Sequence, residues 1–175
     1  MKLLSFIRLG KTGFGAVVNN GIIDLTGKID PNVNTIKELI SLNMEDRAEE
    51  YIVGKTKDLS FSDISFLPVI PDPEKIMCIG LNYLEHKKET GRPDVDNPTI
   101  FTRFADSQVA HLQPMIKPDN SDRFDYEAEM AIIIGKGGRF ISEDEALNHI
   151  AGYACYNDGS IRNYQRHTSQ FTPGK

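Results

Sequence analysis

Residues 124–135 read FDYEAEMAIIIG, and no other stretch of the chain constrains its fold as tightly. Met130 to Ile134 carries no polar side chain, while Glu127 and Glu129 stand at the mouth of this run. A short continuous apolar segment bounded by turn signals suits a buried strand. In a strand, residues two apart share a face, which places the two carboxylates side by side at roughly 6–7 Å. Ala131 and Ile133 continue that face, and Ala128, Met130, Ile132 and Ile134 form the other. Both faces are apolar downstream, so a strand covered on both sides is expected. An unpaired buried charge is strongly destabilising, so these carboxylates must reach water, hold protons or meet a cation.

A second apolar run, AGYACYND, ends as abruptly in Asp158. A strand pairing beside the first would bring a third carboxylate to the same place. Three carboxylates without thiolates or clustered histidines suit a hard, oxygen-seeking cation: Mg²⁺ first, with Mn²⁺ or Ca²⁺ as alternatives. Taken alone, Glu127 and Glu129 also read as a strand end that simply reaches water.

Two further stretches carry polar chemistry. In NYLEHKKE, His86 and Glu89 lie three residues apart on one helical face, where a carboxylate can hold one ring nitrogen and leave the other as a base. Lys87 and Lys88 beside them equally fit a solvated helix surface. In NDGSIRNYQRHTSQFTPGK, Asp158, Arg162 and Gln165 fall within eight residues, and Lys175 follows a Pro-Gly turn. Such donors near an oxyanion would stabilise developing negative charge, and as isolated residues they are ordinary loop content.

Around these motifs the chain divides. Pro68, Pro71 and Pro73 in LPVIPDPEK can neither continue a helix nor supply ladder donors, so a boundary near residue 70 is expected, with one domain over 1–70 and another over 71–175. In the first, Leu3 to Arg8 and Phe14 to Val18 read as strands, and Asn20-Gly21 suits a type I′ hairpin turn. Thr35 can cap a helix whose inner face carries Ile36, Leu39, Ile40 and Leu42. In the second, Lys75 to Ile79 and Thr99 to Phe104 read as strands, and the helix in NYLEHKKETG ends at Gly91 with Pro93 beyond. Ser142 and Glu145 form a capping box opening a helix over 143–150.

Lys and Arg number 20 against 25 Asp and Glu, a net charge of −5 with the signs interspersed, which disfavours nucleic acid and anionic membranes as partners. No run approaches the ~18 apolar residues of a membrane span, and MKLLSFIRLGKTG lacks a signal-peptide apolar region, so a cytoplasmic protein is expected. Cys78 and Cys155 each sit in an apolar run and read as buried reduced thiols.

In their order, GLNYLEHKKE, FDYEAEMAIIIGKGGR, AGYACYNDGSIRNYQ and PGK resemble the fumarylacetoacetate hydrolase family from about residue 72 onward. The resemblance implies an α+β fold: a mixed β-roll catalytic domain, incomplete here, after a small N-terminal α/β module. It implies metal ligands at Glu127, Glu129 and Asp158, catalytic groups at His86, Glu89 and Lys175, and substrate contacts at Tyr83, Arg162 and Gln165. The implied activity is metal-dependent hydrolysis of a carbon–carbon bond in a small acylpyruvate-like or diketo 2-oxo acid. Isomerase, decarboxylase or lyase chemistry on 2-oxo dicarboxylates is the alternative, and a catalytically silent fragment that binds metal or a partner is another. A homodimer is implied as well. Arg103, Gly159 and Asn163 depart from residues common in the family, which bears on substrate preference. Family members run on past the PGK turn, so a longer parent enzyme is implied, and Lys175 at the chain end is expected to be loosely held.

Overall fold

The computed structural model describes residues 1–91 and 96–175, so Pro93 lies outside the described residues. In chain order the elements are β1 (Leu3–Arg8), β2 (Lys11–Val18), β3 (Gly21–Asp24), α1 (Ile36–Ser41), α2 (Glu45–Ile52), β4 (Ser65–Phe66), β5 (Ile76–Gly80), α3 (Leu84–Thr90), β6 (Thr99–Arg103), β7 (Phe124–Asp125), β8 (Ala128–Ile134), β9 (Ile150–Asn157), β10 (Ser160–Ile161) and α4 (Arg162–Gln165). Short 3₁₀ turns occupy Phe61–Asp63, Ala105–Ser107, Glu143–His149 and Thr172–Gly174. Two compact units result: Met1–Pro71 with Val109–Pro114 and Glu129–Tyr156, and Asp72–Gln108 with Met115–Ala128 and Asn157–Lys175.

The first unit is built on an antiparallel sheet in the order β3-β2-β1-β4. Alternation along its strands sends Phe14, Ala16, Ile23 and Leu25 to one face, where they pack with Val33, Ile36, Leu39 and Ala48 from α1, α2 and the loop before them. Leu4, Phe6 and Ile22 go to the other face and meet Leu59, Ile64 and Phe66. Neighbouring Ile22 and Ile23 thus serve opposite cores, as period-two geometry requires. The β2–β3 hairpin turns on Asn19 and Asn20, whose φ values of 42° and 61° suit a primed turn. The turn is therefore one residue earlier than the Asn20-Gly21 reading, and Gly21 begins β3. It is glycine for space: a Cβ there would lie 2.7 Å from the Leu59 carbonyl oxygen.

Thr35 caps α1 as expected, its Oγ1 accepting from the Glu38 N–H at 3.1 Å. Leu42 instead ends the helix at 47% exposure and leaves the inner face to Ile36, Leu39 and the partly buried Ile40. The capping box expected at Ser142 and Glu145 does not form. Glu145 Oε2 accepts from the Asn148 side chain at 2.8 Å, and the segment winds as a 3₁₀ turn. Four acidic or amide side chains in seven residues offer the backbone such local alternatives. A capping box does form at Ser60 and Asp63.

β8 and β9 form a hairpin and alternate regularly, but only one face is covered among the described residues. Met130, Ile132, Ile134 and Tyr153 are exposed, contrary to the expectation of cover on both sides. Cys155 shares the exposed face of β9 and is exposed, whereas Cys78 is buried in β5 as expected. In the second unit β5 pairs with β6 and β7 with β10, both antiparallel. Among the described residues no helix is long and apolar enough to cross a membrane.

Leu39 is fully buried between α1 and the first sheet. Leu39→Ala is expected to destabilise the protein by about 2–5 kcal/mol, as burial losses and a residual cavity add. Urea denaturation measures this, and a change near zero would show that α1 does not anchor the core.

Candidate metal and substrate site

Backbone pairing assembles the acidic cluster. The Asp158 N–H donates to the Glu127 carbonyl at 2.9 Å, so the two runs meet at their acidic tips. The Asn157 side-chain oxygen accepts from the Glu127 N–H at 3.0 Å and holds the same junction. Ser160↔Asp125 and Ile161↔Phe124 continue the pairing between β10 and β7. Glu127, Glu129 and Asp158 each present a carboxylate oxygen, and the three lie within 4.8 Å of one another. Glu127 and Glu129 are partly buried, and Asp158 is only 1% exposed.

Buried carboxylates need compensation, and this chain supplies much of it from its own cations. Lys175 Nζ donates to Glu127 Oε1 at 2.8 Å and to Asp158 Oδ2 at 2.5 Å. Arg103 Nη1 donates to Asp158 Oδ1 at 2.5 Å and to the Gly159 carbonyl at 3.0 Å. Arg162 Nη1 lies 3.2 Å from Glu127 Oε1 and donates to Gln165 Oε1 at 3.0 Å, while its Nε donates to Asp125 Oδ2 at 2.8 Å. Ser160 Oγ donates a short hydrogen bond to Glu127 Oε1. Burial pushes the Glu127 carboxyl up, but the bonds from Lys175 and Ser160 and the charges of Lys175 and Arg162 outweigh it and hold it below its ordinary value. Burial likewise pulls Arg162 down, and its bonds to Asp125 and Glu127 more than restore it.

Lys175 is thus neither loose nor exposed: its side chain is 2% accessible and sits between two carboxylates. The PGK turn explains the placement. A Cβ at Gly174 would fall 2.3 Å from the Gln165 nitrogen and 2.7 Å from the Ile161 carbonyl oxygen, so only glycine lets this turn press against α4. The ammonium also stands 4.6 Å from the Phe101 ring centroid, within cation–π range.

Glu127, Glu129, Asp158, Lys175, Arg162 and Gln165 are therefore assembled as one neighbourhood. His86 and Glu89 meet each other across one turn of α3, Nδ1 to Oε2 at 3.8 Å, with side-chain exposures of 48% and 78%. Neither bonds directly to the acidic cluster among the described residues. Tyr83 immediately precedes α3 and is 51% exposed. Sequence reading passed over three contributors. Ser160 is fully buried on Glu127, Asp125 orients Arg162, and Arg103 pairs with Asp158. Ser160 sits two residues after Asp158 at a strand start, a spacing that points both to one side, and this was the available signal.

The donor set fits a hard divalent cation. Ligand oxygens at about 2.0–2.6 Å from one ion stand no more than about 5 Å apart, which the cluster satisfies with oxygen alone.

With this geometry in place, the likenesses to known proteins fall into line. The family profile for the fumarylacetoacetate (FAA) hydrolase C-terminal domain matches residues 75–175. Oxaloacetate tautomerase fahd2, mitochondrial, from Xenopus laevis is 45% identical over 107 residues, 61% of this chain and 34% of that protein. The fumarylacetoacetate hydrolase of psychrophilic Exiguobacterium antarcticum has a TM-score of 0.76 at 27% identity, covering 100% of this chain and 61% of that one. Maleylpyruvate hydrolase from Sphingobium sp. SYK-6, solved with manganese(II) ion and pyruvate, has a TM-score of 0.76 at 22% identity, covering 99% of this chain and 66% of that one. The chain thus spans about a third of the Xenopus relative's length and about two thirds or less of these solved structures.

A carboxyl whose pKa is lowered on folding adds stability that is present above its unfolded value and lost as pH falls through the folded one. For metal-free protein, the stability advantage of wild type over Glu127→Gln is expected to persist at neutral pH and to shrink below the ordinary glutamate value of 4.5. Urea midpoints across that range measure it, and a difference that grows on acidification would contradict the ion-pair assignment.

Proposed function

Because this chain belongs to the fumarylacetoacetate hydrolase family, with its α+β fold, we propose that it binds a divalent cation, Mg²⁺ or Mn²⁺, through Glu127, Glu129 and Asp158, and enolises a small 2-oxo acid. The observation that carries this reading is the convergence of three carboxylates on one point, with Lys175 Nζ already holding positive charge between two of them. The 45% identity to an oxaloacetate tautomerase favours keto–enol interconversion of a 2-oxo acid over other outcomes. The manganese and pyruvate in the maleylpyruvate hydrolase structure support the same cation and substrate classes.

Held by Glu127, Glu129 and Asp158, such a cation would supply Lewis acidity toward the oxygens of a 2-oxo acid. The remaining tasks fall to the chain's own groups. Lys175 and Arg162 place N–H donors around Glu127, where they also favour an anionic substrate oxygen. Gln165 accepts from Arg162 Nη1 and fixes the guanidinium plane. The near absence of solvent at Lys175 and Asp158 keeps these charges effective, since electrostatic interactions strengthen as water is excluded.

A second reading, hydrolysis of a carbon–carbon bond in an acylpyruvate-like acid, is favoured by the placement of His86 and Glu89 3.8 Å apart on one face of α3. Glu89 can hold one ring nitrogen while the other takes a proton from water. The two readings share the enolate and differ in whether water is delivered, which the fold does not decide.

Two arms test the proposal. Calorimetry with Mg²⁺ is expected to show binding that Glu129→Ala removes, and unchanged affinity in that variant would refute the ligand assignment. Enol absorbance and product NMR with oxaloacetate and an acylpyruvate are expected to show metal-dependent tautomerisation lost in the same variant. Cleavage of the acylpyruvate would select the hydrolase, and metal binding without any turnover would leave a binding fragment.

A further inference from the structure

Beside the acidic cluster lies an open cleft of ≈ 370 Å³ lined by Arg123, Phe124, Asp125, Arg162 and Arg166. Local backbone geometry gathers its three guanidinium groups. The Arg162 N–H donates to the Arg123 carbonyl at 2.8 Å, extending the β7–β10 pairing, so these two residues are cross-strand neighbours. Arg166 follows Arg162 by four residues at the end of α4, the spacing that sets two side chains on one helical face.

The charge in the cleft is not balanced. Among the described residues that line it, Asp125 is the only acid, and Arg162 already engages it through Nε and Nη2, both at 2.8 Å. The guanidinium groups of Arg123 and Arg166 make no hydrogen bond or ion pair with any described residue, their bonds being confined to the backbone. Like charges brought together on one surface repel, so the arrangement favours an arriving anion. Arginine's planar fork suits a carboxylate in particular, because two parallel N–H donors match its two oxygens.

Resting on the 2-oxo acid reading above, we propose that this cleft binds the second carboxylate of a dicarboxylic 2-oxo acid, with Arg123 and Arg166 as the specificity-determining residues. Arg162 links the two subsites: Nη1 is 3.2 Å from Glu127, and Nε and Nη2 face Asp125. One guanidinium therefore separates the acidic cluster from the cleft, a span that suits a substrate of a few carbons with acid groups at both ends. Phe124 contributes the apolar part of the lining beside the carbon chain. A monocarboxylic 2-oxo acid would bind without using Arg123 or Arg166.

Calorimetry of pyruvate and oxaloacetate with the Mg²⁺-loaded protein tests this, comparing wild type with the Arg123→Gln, Arg166→Gln double variant. Both residues are exposed, so the variant is expected to keep its fold, with circular dichroism as the check. Loss of charge-assisted bonds is expected to weaken oxaloacetate at least about tenfold while pyruvate changes less than about twofold. Equal losses for both ligands, or no loss for either, would overturn the cleft proposal alone. A wild-type protein that binds neither ligand would overturn the 2-oxo acid reading itself, and the cleft with it.

Discussion

The mutual neutralisation of Glu127 and Asp158 by Lys175, with Arg103 and Arg162 behind it, is the interaction on which the second unit depends. Burying either carboxylate alone would be strongly unfavourable, and so would burying the ammonium. Together they are tolerable because nearly every polar atom finds a partner: Ser160 bonds to Glu127, Arg103 bridges Asp158 and the Gly159 carbonyl, and Gln165 receives Arg162. One exception stands out, since Arg103 Nε is buried without a partner among the described residues. The network reaches across β6, the β8–β9 junction, β10, α4 and the final turn, so these short elements are tied by charge more than by apolar packing. The apolar cores cluster instead in the first unit.

This network also explains how three neighbouring carboxylates can be held together without a bound cation. Three carboxylates within 4.8 Å repel one another, and internal cations hold them in place. A divalent ion would then compete with Lys175 for Glu127 and Asp158 rather than enter an unbalanced cavity. On the proposed function, metal affinity would be coupled to the position of the PGK turn, which Gly174 lets press against α4. The arginine cleft extends the same logic outward. One guanidinium, Arg162, belongs to both regions and sets their separation.

Much of this was legible in the sequence because it rests on short-range rules. Period-two alternation paired Glu127 with Glu129, the abrupt ends of two apolar runs pointed to Asp158, and Thr35 announced the start of α1. What escaped depends on packing that no local pattern encodes. The exposed faces of β8 and β9 look identical in sequence to covered ones, since Met130 and Ile132 are as apolar as any core residue. Cys155 was misplaced for the same reason. Ser142 and Glu145 carry the letters of a capping box, but Asn148 offered Glu145 a closer partner. Lys175 was expected to be loose because chain ends usually are, and only the three-dimensional position of the two carboxylates reverses that. Arg103 and Ser160 lack a motif of their own and become meaningful only once Asp158 and Glu127 are placed.

The most direct measurement is anomalous diffraction from crystals soaked in Mn²⁺. The account predicts a single strong peak bounded by carboxylate oxygens of Glu127, Glu129 and Asp158, with Lys175 Nζ displaced from at least one of them. A cluster left without a peak while Lys175 keeps both of its bonds, or a peak only at other acidic residues, would contradict it.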